Sequence, residues 1–361
     1  MSRAAPELTF GLPELSFGLE EEVFVLYGQT GQAHRTHLGS LWPMGRLLWQ
    51  DPARNWGGTA TNFRRGVAAR QGVMSSVEVS TRVEYGAATL FTAALSRRSE
   101  LSRTFAGGQL VALGSLPGSD RYHTAGLHIH IGLPDQDRDR VYGNLAYFLP
   151  VLAWASASSP YFGNGEAGSG PLSRVASSFA LGELGADPYD RFQDLIITRR
   201  LGTIELRVLD PVPDPDRLWA ILKAVEGVAR LPDRLPWSRL EYNELRRELL
   251  SSPGLALRER ARELEWRVGF ELLWTRHTEA DRVRSHTEQC GWASTCAHLD
   301  GLWRSGVWQD LGTPNTPPPW WHGPAGFARY YLPRLPAIAR KAYVENRKSQ
   351  AGHGPEMPSG E

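Results

Sequence analysis

Several short stretches of the chain alternate apolar and polar residues, and period-2 alternation marks a strand with one face against a core. It predicts strands at Ser16–Leu26, Met74–Ser80, Gln109–Ser115, Gly126–Leu133 and Gly202–Leu209. Helical spacing runs over Ala87–Phe105, Arg138–Ala155, Pro215–Leu231, Glu241–Leu250, Leu255–His277 and Pro336–Arg347. Asp214-Pro215 opens the third of these as an N-cap followed by a first-turn proline. Prolines at 314, 317, 318, 319 and 324, beside Trp320 and Trp321, predict an irregular packed loop over Asp310–Gly326. No internal repeat occurs. Strands dominate the first two thirds and helices the last third, which predicts an α+β fold: a largely antiparallel sheet with helices segregated to one face. A single domain is expected over residues 1–345, with its strand-borne motifs in 16–210 and a helical part at 214–345, followed by a flexible tail at 346–361.

The strands share one design. Residues i and i+2 of a strand lie on one face. Glu20 and Glu22 therefore point together in Gly18-Leu19-Glu20-Glu21-Glu22-Val23. His128 and His130 share a face opposite Leu127, Ile129 and Ile131. Glu205 and Arg207 share one opposite Ile204, Leu206 and Val208, and Glu78 stands between two serines opposite Val77 and Val79.

Composition narrows the classes. The 361 residues are 41% hydrophobic and 22% charged with a net charge of +1, which excludes a disordered chain and a strongly basic nucleic-acid binder. Three of the 40 basic residues are lysines, so the rest are arginines. Two cysteines, Cys290 and Cys296, are too few for a disulfide framework and read as ordinary thiols of a reducing compartment. The first fifteen residues do not read as a signal peptide, and the longest apolar stretch, Val141 to Ala157, is too short to span a bilayer. A soluble, cytoplasmic protein is expected.

An antiparallel sheet with one wet face also alternates, so any one polar face can be plain solvated surface. Residue choice argues otherwise. Solvated faces carry Thr, Lys, Arg and Gln rather than a glutamate pair on one strand and a histidine pair on another. Crowded carboxylates repel unless a cation neutralises them. Oxygen ligands with an occasional imidazole suit Mg²⁺ or Mn²⁺, which bridge carboxylates to nucleotide phosphates. Gly18, Gly126 and Gly132 would let a ligand approach the backbone. The chain has no phosphate-binding P-loop, no dinucleotide fingerprint, no H-E-x-x-H and no nucleophile elbow. A Gly-rich stretch at 163–170 reads as a loop. His34, His37, His123, His277, His286, His298, His322 and His353 show no ligand spacing.

Taken in order, Phe17-Gly18-Leu19-Glu20-Glu21-Glu22, Gly126-Leu127-His128-Ile129-His130-Ile131-Gly132, Ser156-Ala157-Ser158-Ser159-Pro160 and Thr203-Ile204-Glu205-Leu206-Arg207-Val208-Leu209-Asp210 resemble the motifs of the type 2 glutamate–cysteine ligase family, also called carboxylate–amine ligases. The resemblance covers residues 16 to 231. It implies a curved sheet of the glutamine-synthetase catalytic type, whose polar face holds ATP and divalent metals, with helices packed on the apolar face. By resemblance, Glu20, Glu22, Glu78, His128 and Glu205 are metal ligands. Glu205 and Arg207 form the catalytic pair, and His130, Arg174 and Arg207 bind the nucleotide. One departure stands out: relatives carry an acidic ligand several residues before Glu78, where this chain reads Arg70-Gln71-Gly72.

The expected activity is ATP-dependent amide-bond formation through an acyl phosphate, with ATP and Mg²⁺ or Mn²⁺ as cofactors. Glutamate would be the acyl donor, and cysteine or another amine the acceptor. The partners are small amino acids or amines, not nucleic acid or membrane, and a homo-oligomer stays open. Two alternatives remain: a metal-dependent hydrolase using the same face, and a non-catalytic nucleotide-binding relative.

Overall fold

Ser16–Leu26 forms β1, the strand on which the sheet is built. The computed structural model describes residues 15–26, 45–46, 48–49, 76–117, 124–160, 175, 193–198, 201–250, 253–271, 273–313, 319–340 and 343. These fall in two compact units, one drawn from Met1–Ser40 and Gly57–Pro317, the other from Leu41–Trp56 and Pro318–Glu361.

In the larger unit, β1 is followed by β2 (Ser76–Ser80), α1 (Ala87–Thr104), β3 (Gln109–Val111), β4 (Leu127–Gly132) and α2 (Arg138–Ser156). Then come β5 (Leu195–Ile197), β6 (Ile204–Leu209), α3 (Pro215–Arg230), α4 (Arg239–Glu248), α5 (Leu255–Val268), α6 (Leu273–Arg276), α7 (Glu279–Cys290) and α8 (Trp292–Ser305). The sheet order is β2-β1-β4-β6-β5, with β3 also on β1, and every pair is antiparallel. The expected α+β architecture is what the chain forms. The apolar face of the sheet, Leu127, Ile129, Ile131, Ile204, Leu206 and Val208, packs against Leu90 of α1, Leu145, Leu149 and Leu152 of α2, and Leu218 and Ile221 of α3 in one core. A smaller core gathers where β1 turns apolar: Phe24 and Leu26 meet Val111 and Leu113 with Val283, Cys296 and Leu299 of α7 and α8.

Two buried polar assemblies hold this frame. Glu21 lies on the face of β1 opposite Glu20 and Glu22. Its carboxylate takes both arms of Arg98 from α1, with Nε–Oε2 at 2.9 Å and Nη2–Oε1 at 2.6 Å. Arg98 also donates to the carbonyls of Val212 and Pro213, just past β6. The second is a serine knot. Ser156 Oγ accepts from the Asp210 amide at 3.2 Å, and the Ser158 amide donates to Asp210 Oδ2 at 3.2 Å. Ser158 Oγ accepts from the Gly114 amide, and Ser159 Oγ bonds both backbone groups of Ser115. The 156–159 motif is thus a clamp joining α2, β6 and the segment after β3.

Several boundaries differ from the expectation. The helix expected over Leu255–His277 breaks at Gly269, whose φ of 70° forms a left-handed cap with its N–H on the Glu265 carbonyl. The third expected strand stops at Val111, and Ser115 forms only an isolated bridge to Thr124. The helices α7 and α8 and the short β5 fall outside the expected elements. Thr278 and Asp281 nevertheless make a capping box at the start of α7, a signal present in the sequence. In the smaller unit, α9 (His322–Tyr331) begins inside the loop expected over Asp310–Gly326. Pro324 falls in its first turn, where an N–H has no helical partner to lose. A Cβ on Gly326 would lie 1.6 Å from the Gly45 carbonyl oxygen, so α9 reaches that backbone only because residue 326 has no side chain. Residues 346–361 and the 163–170 stretch lie outside the described residues. Among the described residues no helix is long and apolar enough to cross a membrane. Cys290 is exposed and Cys296 buried, both as free thiols.

Removing one member of a buried ion pair leaves a charge uncompensated, at a cost of about 3–5 kcal/mol. Glu21→Gln should therefore lower unfolding free energy by that order in urea titrations, whereas Glu21→Leu combined with Arg98→Met should cost clearly less. Equal losses in the two proteins would show that the pair is not what holds β1 to α1.

Candidate active site

Antiparallel register brings the four polar faces into one strip. Glu22 of β1 stands opposite Glu78 of β2, Glu20 opposite His128 of β4, and His130 opposite Glu205 of β6. Backbone pairing alone thus collects residues far apart in the chain. Between β4 and β6 the register shifts: Ile129 pairs with Leu206 but Leu127 with Leu209, so Arg207 and Val208 together face His128. Such a bulge re-aims a side chain and is common beside active sites. Here it sits at Arg207.

The distances describe a single centre. His128 Nδ1 lies 3.5 Å from Glu20 Oε2 and 3.8 Å from Glu205 Oε1. His130 Nε2 lies 3.6 Å from Glu20 Oε1 and 3.9 Å from Glu205 Oε1. One donor atom each from Glu20, His130 and Glu205 falls within 4.8 Å of the others. Ligands on one ion, at bond lengths of about 2.1 Å, stand roughly 3–4 Å apart, so small side-chain movements would close this set on a cation. Arg207 Nη1 ion-pairs with Glu205. The other ring nitrogen of His130, Nδ1, lies 3.4 Å from Thr203 Oγ1, which bonds Thr198 Oγ1 at 2.9 Å.

Glu22, Glu78, His128 and Glu205 are buried, while Glu20, His130 and Arg207 are partly open to solvent. Glu22 Oε2 and His130 Nε2 are buried without a hydrogen-bond partner among the described residues, a state that invites a cation or a ligand. The donor set fits a divalent ion.

Electrostatics divides the carboxylates. Burial favours the neutral acid of Glu20, but the neighbouring imidazoles of His128 and His130 outweigh it and hold that carboxyl far below its usual range. Glu78 is pushed up, first by burial and then by the charges of Glu20 and Glu22, with Arg207 opposing and Glu205 adding to the push. Burial depresses His130, yet the neighbouring carboxylates of Glu20 and Glu205 raise it overall.

The strip thus joins Glu20, Glu22, Glu78, His128, Glu205 and Arg207, and it sets His130 among the candidate metal ligands. Arg174 and the Arg70-Gln71-Gly72 stretch lie outside the described residues. A Cβ on Gly132 would meet Ser16 Oγ at 2.4 Å, so its missing side chain leaves room for the Ser16 hydroxyl of the neighbouring strand. The rings of His286 and His298, on α7 and α8, lie 4.4 Å apart between centroids and are tilted by 51°. Sequence reasoning missed Thr203 behind His130 and Arg98 behind Glu21. Arg98 falls on the buried stripe of α1 with Leu90, Ala94 and Leu101, and a charge at such a position signals a buried partner.

No protein-family model matches the chain. A Pseudomonas entomophila (strain L48) protein, named provisionally as glutamate–cysteine ligase 2, is 29% identical over 158 residues. That match takes in 39% of this chain and spans only 38% of the relative's length. A relative carrying that family name thus matches this chain over 158 residues. Among solved structures, a Francisella tularensis glutamate–cysteine ligase in complex with AMP is 10% identical, with 90% of this chain and 94% of that one covered at a TM-score of 0.49. A bifunctional glutathione synthetase from Pasteurella multocida is 13% identical, with 88% and 53% covered at a TM-score of 0.44. The ligase PafA, solved with the ubiquitin-like protein Pup, is 11% identical, with 96% and 70% covered at 0.45. Likenesses at that level leave the site to be argued from its own side chains.

The raised Glu78 has a consequence for the metal-free protein. As pH climbs above the ordinary glutamate range, the unfolded chain releases a proton that folded Glu78 keeps, so stability falls through that window. Glu78→Gln removes the loss. Its melting temperature without metal should exceed that of the parent at pH 7, and the two should converge near the ordinary carboxyl range. A Glu78→Gln protein less stable than the parent at pH 7 would place Glu78 outside the crowded strip.

Proposed function

We propose that this protein is an ATP-dependent carboxylate–amine ligase, forming an amide through an acyl phosphate. The acyl donor is the γ-carboxylate of glutamate, and the acceptor is cysteine or another small amine. The observation that carries this reading is the register-aligned strip Glu78–Glu22, Glu20–His128 and His130–Glu205, ending on Arg207 at the bulge. The relative from Pseudomonas entomophila, which carries a glutamate–cysteine ligase name, supports the ligase part of this reading.

A carboxylate is inert to an amine at neutral pH because its leaving group would be oxide. In the first step a carboxylate oxygen attacks the γ-phosphorus of ATP, and the bond to the β–γ bridging oxygen breaks to release ADP. In the second, the amine nitrogen attacks the acyl carbon, phosphate leaves with the oxygen it received, and the nitrogen loses its proton. Divalent ions, Mg²⁺ or Mn²⁺, would draw charge off the phosphate oxygens. Glu20, Glu22, Glu78, His128 and Glu205 are the proposed ligands, with His130 able to join them. Arg207 supplies a planar fork for the charge on the transferring phosphoryl group, and Glu205 orients it through their ion pair. Arg174 is proposed as a further nucleotide contact. A metal-dependent hydrolase would need no such guanidinium, and the Glu205–Arg207 pair favours phosphoryl transfer.

With glutamate, an amine and Mg²⁺ or Mn²⁺, the protein should release ADP and phosphate. AMP and pyrophosphate would overturn the acyl-phosphate route, and turnover without nucleotide would favour hydrolysis. Arg207→Lys keeps the charge and loses the fork, so kcat should fall by about 10²–10³ while the thermal stabilisation by metal–ATP persists. A nearly fully active Arg207→Lys would remove Arg207 from the reaction.

A further inference from the structure

We propose that His286 of α7 and His298 of α8 form a binding site for a transition ion of the Ni²⁺, Cu²⁺ or Zn²⁺ class, away from the polar strip of the sheet. The two rings stand beside Trp308, with centroids 5.4 and 5.8 Å from its own, and Trp308 packs on the smaller core of Val283, Cys296 and Leu299. Their separation in the chain carries no ligand motif. Only the packing of two helices brings them together. The proposal is independent of the ligase reading.

Hydrogen bonding fixes which nitrogen each ring offers. Nδ1 of His298 stands 2.8 Å from the Ser294 carbonyl oxygen, which can only accept, so that nitrogen carries a proton. Nδ1 of His286 stands 3.0 Å from Thr295 Oγ1, and that hydroxyl gives its single proton to the Gly291 carbonyl, also at 3.0 Å. Nδ1 of His286 is therefore the donor to Thr295. With its proton on Nδ1, a neutral imidazole keeps its lone pair on Nε2. Neither Nε2 has a hydrogen-bond partner among the described residues. A ring whose second N–H is held by a protein acceptor is the usual form of a metal-binding histidine.

The rings are close enough to share one ion. Donor nitrogens on a common ion stand about 3–4 Å apart, within reach of rings whose centroids are 4.4 Å apart. Partial burial, and then the charge of His298, lower His286 from its ordinary range, which favours the neutral ring that binds metal. The nearby cation is already balanced: Arg282, 5.3 Å over the Trp308 ring, pairs with Glu279 at 3.5 Å and with Asp214 at 3.7 Å. Among the described residues no carboxylate joins the two histidines. Imidazole nitrogens without carboxylates select first-row transition ions over Mg²⁺ and Ca²⁺. Both residues are half-buried, so water can fill the remaining positions. An ion there would bridge α7 to α8.

The test uses the full chain without an affinity tag, stripped of metal by a chelator, with Ni²⁺ as the probe. Calorimetric titration counts the ions bound by the parent and by a double variant, His286→Asn with His298→Asn. Any Ni²⁺ held on the polar strip contributes equally to both. We expect the parent to bind one Ni²⁺ more than the double variant, and each single variant to hold that ion at least about tenfold more weakly. Acid below the ordinary histidine range should release it. Trp308 supplies a local readout, because Ni²⁺ seated beside it should quench its emission. The fluorescence lost by the parent should therefore exceed that lost by a Trp308→Phe protein, which still binds the ion. Equal Ni²⁺ counts and affinities in the parent and the double variant overturn the proposal. Should the double variant fail to fold, equal quenching in the parent and in Trp308→Phe overturns it alone.

Discussion

The site depends on one interaction that takes no part in it, the bidentate pair between Glu21 and Arg98 on the apolar side of β1. Adjacent residues of a strand face opposite ways, so anchoring Glu21 inward obliges Glu20 and Glu22 to face outward. A slip of one residue would drive both outward glutamates into the core. Arg98 extends the constraint: its bonds to the Val212 and Pro213 carbonyls tie β1 to the chain leaving β6, and Trp303 of α8 lies 4.5 Å from its guanidinium. The strands carrying Glu20 and Glu205 are thereby held to one helix from behind.

The strip in front is electrostatically opposed to folding at one end and favourable at the other. Glu78 faces burial and like charge, while Glu20 is stabilised by two imidazoles. A protein tolerates a buried, repelling carboxylate only where the rest of the frame supplies the stability, and function is the usual reason for keeping one. The core of α1, α2 and α3 against the sheet, with the serine knot at its edge, supplies it. The ion pair of Arg207 with Glu205 gives the open end an internal counter-charge.

The serine motif shows how a sequence signal and its structural reason can part. Ser156 to Ser159 stands among the strings that carry the family resemblance. Its hydroxyls meet the backbone of Gly114 and Ser115, after β3, and the amide of Asp210. Gly132 follows the same logic: the close approach it permits is that of Ser16 on the neighbouring strand.

What the sequence determined by itself was everything set by neighbours at i+2 or i+4. The alternation of β1, β4 and β6 sorts Glu20, Glu22, His128, His130, Glu205 and Arg207 onto polar faces, because side-chain direction in a strand is local geometry. Helix caps at Asp214 and Thr278 are local in the same sense. Register is not. Which carboxylate faces which imidazole follows from pairing between strands distant in the chain, fixed jointly by Glu21–Arg98, the core and the bulge that sets Arg207 beside His128. Tertiary structure alone decided that His130 shares a centre with Glu20 and Glu205, and that Glu21 belongs to the core although it stands between two site residues. The physical reason is that alternation specifies a face, while only the packed sheet specifies the partner across it.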